Sequence, residues 1–296
     1  MTHSIAGFNL PHASSDDPLQ RILTAALPER RGPVAPGNYW DADFFQLFQV
    51  PLFQSAPPVE QAAILQLANR GLLTEAYAIE QAGVGYMAKM VLLADCLEER
   101  SLYGLFTADE TIHLNLLTPF LPEPAPAVAD PFLGLLAEVV ETADKTVLLF
   151  VIQVVLEGWG LSHYRHLARG CQHPGLAALL TSFVQAEARH HGTGATLFNQ
   201  RAVTPANRAA IVEVLATFLK MVQVGPQRLL AEIEQVRGHL SRGQKIQILT
   251  ELDTLTHSGS RLHLLRSLMR GETAGAIVQA LEDRGMFQPL PAEQCV

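Results

Sequence analysis

A chain of 296 residues with 48% hydrophobic and 17% charged side chains can bury a large core without covalent staples. Its formal net charge of −8 sets nucleic acid aside as a partner, because a phosphate backbone demands basic patches. Three cysteines, Cys96, Cys171 and Cys295, without CxxC spacing offer neither a disulfide framework nor a thiolate metal site, and they fit a reducing, cytoplasmic setting.

Residues 1–57 are irregular, with Pro28, Pro33, Pro36, Pro51, Pro57 and Pro58 interrupting short apolar pieces, and they read as an arm packed on the remainder of the chain. The opening MTHSIAGFNLPHASSDD has neither the basic nor the apolar stretch of a secretory signal. Helical periodicity then dominates, so the fold class is all-α. Helical segments are expected at 58–94 and 99–118, followed by the Pro-rich crossover TPFLPEPAPAVADP at 118–131. A third segment, 131–169, should bend or break partway, and a fourth should run over 175–200 after the turn GCQHPG. Thr204-Pro205 is a helix start, and shorter amphipathic helices continue to 284. The most apolar stretch, TVLLFVIQVVLEGWGL at 146–161, is interrupted by Gln153 and Glu157 and is shorter than the roughly 20 residues that span a bilayer. It reads as a buried core helix, with no membrane span expected.

The chemistry-bearing pattern is ExxH, present as Glu110-Thr111-Ile112-His113 and as Glu187-Ala188-Arg189-His190. On a helix this spacing puts a carboxylate and an imidazole on one face, one turn apart. A single copy means little, since composition gives about one by chance. The spacing adds meaning: Glu80 lies 30 residues before Glu110, and Glu157 lies 30 before Glu187. Antiparallel hairpins would level each pair if the chain turned near 95 and near 172. The second midpoint is rich in Gly and Pro, whereas the first is merely polar. Glu157 comes after a near-continuous apolar run, where an ionised carboxylate costs several kcal/mol unless a cation or a proton meets it.

Two glutamates plus two ExxH motifs resemble the four-carboxylate, two-histidine pattern of the ferritin-like di-iron and di-manganese proteins, over residues 58–200. The resemblance implies a four-helix bundle with a long crossover between helix pairs, the N-terminal arm at 1–57, and residues 201–296 as a helical extension of the same domain. It implies Glu80, Glu110, His113, Glu157, Glu187 and His190 as ligands of two irons, with manganese an alternative at one or both positions. It also gives Asp109, directly before Glu110, the role of orienting His190, an exposed helix residue being the other reading. Ala186, before Glu187, cannot do the same for His113, so inequivalent metals are expected. Glu75 and His191 compete with Glu80 and His190 as ligands. His163 and His166 are left open as an extra ligand, a proton donor or ordinary core and surface residues, and Tyr77, Tyr103 and Tyr164 as redox or core aromatics. Gly83, Gly85, Gly158, Gly160, Gly192 and Gly194 gather near the ligands, either to open a substrate pocket or to allow tight packing.

The resemblance further implies an oxygen-dependent oxidase or oxygenase, with O2 as co-substrate, a small organic or acyl substrate and an external electron donor. Glu157 and Asp109 would be the residues closest to that chemistry, and a homodimer is one open oligomeric state. EARHHG at 187–192 extends the likeness to acyl-carrier-protein desaturases and arylamine N-oxygenases, although Phe183 stands where the latter carry a further histidine. The alternatives are an iron- or peroxide-handling protein without an organic substrate and a metal-free helical scaffold.

Overall fold

The computed structural model describes residues 4–14, 16–28, 34, 37–121 and 130–296. Among these residues every regular element is helical and no strand forms. The helices are α1 (Pro18–Ala26), α2 (Pro58–Leu93), α3 (Leu97–Leu117), α4 (Pro131–Glu141), α5 (Lys145–Gly170), α6 (Pro174–Asn199), α7 (Pro205–Gln223), α8 (Gln227–Arg237), α9 (Arg242–Glu251), α10 (Thr254–Leu268) and α11 (Glu272–Asp283). A one-turn helix also forms at Pro51–Gln54. The crossover expected at 118–131 has a 3-10 turn at Thr118–Phe120, and its residues 122–129 lie outside those described.

The chain falls into two compact units, Met1–Pro36 with Leu72–Lys145 and Gly37–Gly71 with Thr146–Val296. In the first unit α2 and α3 form a hairpin whose turn at 94–96 carries no Gly or Pro. Polar groups build it instead. The Cys96 sulfur accepts from the Glu99 N–H at the start of α3, and the Glu99 carboxylate accepts from the Asp95 N–H at 2.9 Å. Lys145 is buried over the turn, with its Nζ 2.6 Å from Glu99 Oε1, 2.9 Å from Asp95 Oδ2 and 2.8 Å from the Leu93 carbonyl oxygen. Lys89 likewise donates at 2.6 Å to the carbonyls of Val140 and Thr142, closing the C-terminus of α4. Ile5 and Gly7 are strapped to the same unit. The Ile5 N–H donates to Glu141 at 2.6 Å, and Gln81 on α2 donates to the Gly7 carbonyl at 2.8 Å. A Cβ at Gly85 would stand 1.8 Å from the Ile5 carbonyl oxygen, so only glycine lets the strap lie on α2.

In the second unit α5 and α6 form a hairpin around the Gly170–Pro174 turn, where His173 Nδ1 accepts from the Leu176 N–H at 3.1 Å. Ring contacts record the antiparallel register: Tyr164 meets Phe183 edge-on at 5.4 Å, and Phe150 meets Phe198 at 4.5 Å. Every residue from Lys145 to Val155 is buried. The segment expected at 131–169 breaks at 142–144, and the helix of 26 residues that follows is, by length and composition, long and apolar enough to cross a bilayer, yet 61% of its most apolar window is buried inside the protein. Trp40 ties the preceding segment down through its ring N–H to the Leu167 carbonyl at 2.8 Å, while Asn69 brackets its backbone. Phe53, Ile64 and Ala68 share a core with Leu230, Ile233, Ile248 and Leu249. The expected start of α7 forms a capping box between Thr204 and Asn207.

The Lys145 cluster allows a direct comparison of a buried with a surface ion pair. Lys145→Ala leaves the Glu99 carboxylate buried without its cation and should lower the free energy of unfolding by about 3 kcal/mol. Glu60→Ala, which removes the half-exposed pair with Arg237, should cost under about 1 kcal/mol. Urea denaturation followed by circular dichroism measures both, and equal effects would contradict the role given to Lys145.

Candidate metal centre

Each unit gathers its own trio of two glutamates and one histidine. In the first unit Glu80 comes from α2, and Glu110 and His113 come from one face of α3. Their ligand-capable atoms all lie within 4.8 Å of one another and all three side chains are buried. His113 Nδ1 donates to Glu80 Oε2 at 2.7 Å and stands 3.5 Å from Glu110 Oε2. The local reason is helix geometry: the i, i+3 spacing stacks Glu110 under His113, and the hairpin turn brings Glu80 level with both. Gly83 completes the fit, since a Cβ there would lie 2.9 Å from the Glu110 carboxyl carbon.

In the second unit the trio is Glu157 from α5 with Glu187 and His190 from α6, and again the ligand-capable atoms fall within 4.8 Å. His190 is wholly buried, and its Nδ1 lies 3.4 Å from Glu187 Oε2 and 3.8 Å from Glu157 Oε2. Both ExxH motifs therefore aim the same imidazole nitrogen at their own glutamate across nearly the same gap. The trios also differ, because the first is closed by the short His113–Glu80 bond whereas the second keeps wider spacing. Ligand atoms sharing one transition-metal ion stand about 3–3.5 Å apart, and the donors are carboxylate oxygen and imidazole nitrogen, so the residues present fit such an ion in each trio.

Electrostatics in the first trio shows what these groups lack without a metal. Burial raises the Glu80 carboxyl to about 7, helped by the neighbouring Glu110 charge. Burial alone would lower His113, but the charges of Glu80 and Glu110 overcome it and lift the imidazole to about 10. A proton thus sits between the carboxylates where a cation would otherwise go.

Other residues singled out in the sequence lie elsewhere. Asp109 is half-buried on α3 beside Glu110, and Glu75 is half-buried outside the trio. His191 belongs to neither trio, and its Nδ1 donates to the Gln153 carbonyl at 3.0 Å. His163 lies beside Trp159 and Tyr164; burial and the Arg261 charge hold it at about 4, so it is neutral at physiological pH. His166 is exposed and stacks on Phe44 at 4.8 Å. Tyr103 and Tyr164 are buried against Phe106 and Phe183, and Tyr77 is half-buried. The glycines divide. Gly83, Gly85, Gly158 and Gly194 admit protein atoms rather than a pocket, whereas a Cβ at Gly160 or Gly192 would meet nothing within 4 Å.

A π-helix in α5 has no counterpart among the sequence expectations. It covers Leu149–Glu157, so the segment that ends on Glu157 departs from the 3.6-residue period used to judge its faces. The glycines opposite it were the available signal.

Comparison with known proteins assigns no family: no family model matches the chain, and neither the curated proteins nor the solved structures give a match.

The raised values set the pH dependence of the metal-free protein. Both His113 and Glu80 hold a proton more tightly folded than unfolded, so their contribution to stability is complete at low pH and falls as pH rises. For Glu80 the loss runs from its ordinary 4.5 through about 7, and for His113 from 6.5 through about 10. Urea midpoints of chelator-treated protein should fall between about pH 6 and pH 9. His113→Gln should flatten the upper part of that fall, and an unchanged slope would refute the assignment.

Proposed function

We propose that the two trios hold the two irons, or the manganese and iron, of a ferritin-like oxygen-dependent oxidase or oxygenase acting on a small organic or acyl substrate. The observation that carries this reading is the repetition. Each unit gathers one buried histidine with two carboxylates, Glu157 alone being partly exposed, from an ExxH and a glutamate 30 residues before it. An isolated buried trio of this kind invites a structural cation, whereas two copies of equal spacing match the ligand count of a di-metal site.

Bound iron would supply oxygen activation. The chain's own part is to hold and orient. Glu80, Glu110 and His113 would hold one metal, and Glu157, Glu187 and His190 the other. The seat of Glu110 against Gly83 fixes one carboxylate, and the buried run before Glu157 keeps water from its side of α5. Asp109, directly before Glu110, is proposed as a positioning residue, as the resemblance implies, and Ala186, directly before Glu187, has no such group. Electrons would come from an external donor, and a homodimer remains part of this reading.

Anaerobic loading with ferrous iron, removal of excess, and metal analysis form the direct test. About two metals per chain are expected, with His113→Ala and Glu157→Ala each retaining about one. Fewer than about one metal per chain in the parent protein would overturn the proposal. If two metals bind but oxygen is consumed rapidly without an organic additive while iron mineral accumulates, the iron-handling alternative replaces the oxygenase reading.

A further inference from the structure

The π-helical stretch Leu149–Glu157 is nine residues long, whereas this form normally persists for a single turn, so something outside the helix must hold it. At its end the Gly158 N–H bonds to the Val155 carbonyl, three residues back. The Gln153 carbonyl, five residues back, takes a hydrogen bond from His191 Nδ1 at 3.0 Å. The link is reciprocal: the Gln153 side chain, fully buried, donates from Nε2 to the His190 carbonyl at 3.1 Å. Each helix makes room for the other's side chain with a glycine. A Cβ at Gly194 on α6 would stand 2.2 Å from Gln153 Cβ, and one at Gly158 on α5 would stand 2.9 Å from His191 Cε1.

We propose that Gln153 and His191, seated against Gly194 and Gly158, form a clasp that locks α5 in its π-helical register and thereby sets where Glu157 stands against Glu187 and His190. The geometry gives the consequence of releasing it. A residue advances by about 100° in an α-helix and by less in the wider π form. Returning nine residues to α geometry would therefore swing Glu157 by a large part of a turn, out of its trio. Gln153 and His191 are positioning residues, touching the ligand-bearing backbone rather than a metal. The effect on metal rests on the metal reading of this trio; the effect on helix register does not.

The experiment compares His191→Ala, His191→Gln, Gly194→Ala and Gly192→Ala in the full-length protein. Two measurements are made: amide hydrogen exchange of residues 149–158 in the metal-free state, and cobalt(II) titration followed by its visible absorption. His191→Ala and Gly194→Ala should speed exchange in this segment while the rest of the chain keeps its protection. They should also weaken one of the two cobalt sites about 10–100-fold. His191→Gln, whose amide can still donate to the Gln153 carbonyl, should restore most of both signals, and Gly192→Ala, facing open space, should match the parent. Unchanged exchange in both His191→Ala and Gly194→Ala would overturn the clasp. Altered exchange in a parent protein that binds no cobalt would uphold the clasp and sink the metal reading instead. Altered exchange with unchanged affinity at both cobalt sites would overturn the claim that the clasp sets the position of Glu157.

Discussion

Carboxylates drawn into an apolar interior need a positive charge, and much of this protein is arranged around meeting that need. Glu80 and Glu110 are nearly inaccessible, and without a metal they recruit a proton onto His113 strongly enough to lift it to about 10. Glu99 meets the same demand with Lys145, and that pairing builds the turn that levels Glu80 with His113. Position decides which solution each carboxylate receives. Glu99 sits at a helix start within reach of a long cationic side chain, whereas each trio sets its carboxylates against an imidazole, a group that can give its proton up to make way for a metal.

Helix boundaries and the residues of each trio were largely legible in the sequence because they depend on local rules. Pro, Gly and capping residues mark ends, and α2, α3 and α6 begin or end within a few residues of the places expected. The i, i+3 face of ExxH follows from helical pitch alone, and both motifs do present Nδ1 to their own glutamate. The turn between α2 and α3 was only weakly visible, because a cap of Cys96, Asp95 and Glu99 closed by Lys145, some 50 residues on, has no local signature.

The period of α5 and the use of its glycines were not legible. An unbroken apolar run such as VLLFVIQVVL is equally compatible with α and π geometry, since every face is buried in either. What distinguishes them is contact with α6, through Gly158 and Gly194, and those glycines read from sequence equally as room for a small molecule or as close helix packing. Four of the six glycines near the ligands are instead filled by protein: Glu110, the Ile5 backbone, His191 and Gln153. A missing side chain marks a close approach but does not say whose atom makes it.

The N-terminal strap has a consequence for the order in which the chain emerges during synthesis. Ile5 binds Glu141, 136 residues further along, so Ile5 must wait for most of the first unit to be made before it is held. By the time Lys145 has been added, Glu80, Glu110 and His113 are all present, yet Glu187 and His190 do not exist. The nascent chain therefore passes through a stage in which three trio residues can close while their counterparts are still unmade. A proton on His113 provides an internal cation for that interval, so folding of the first unit need not wait for a metal.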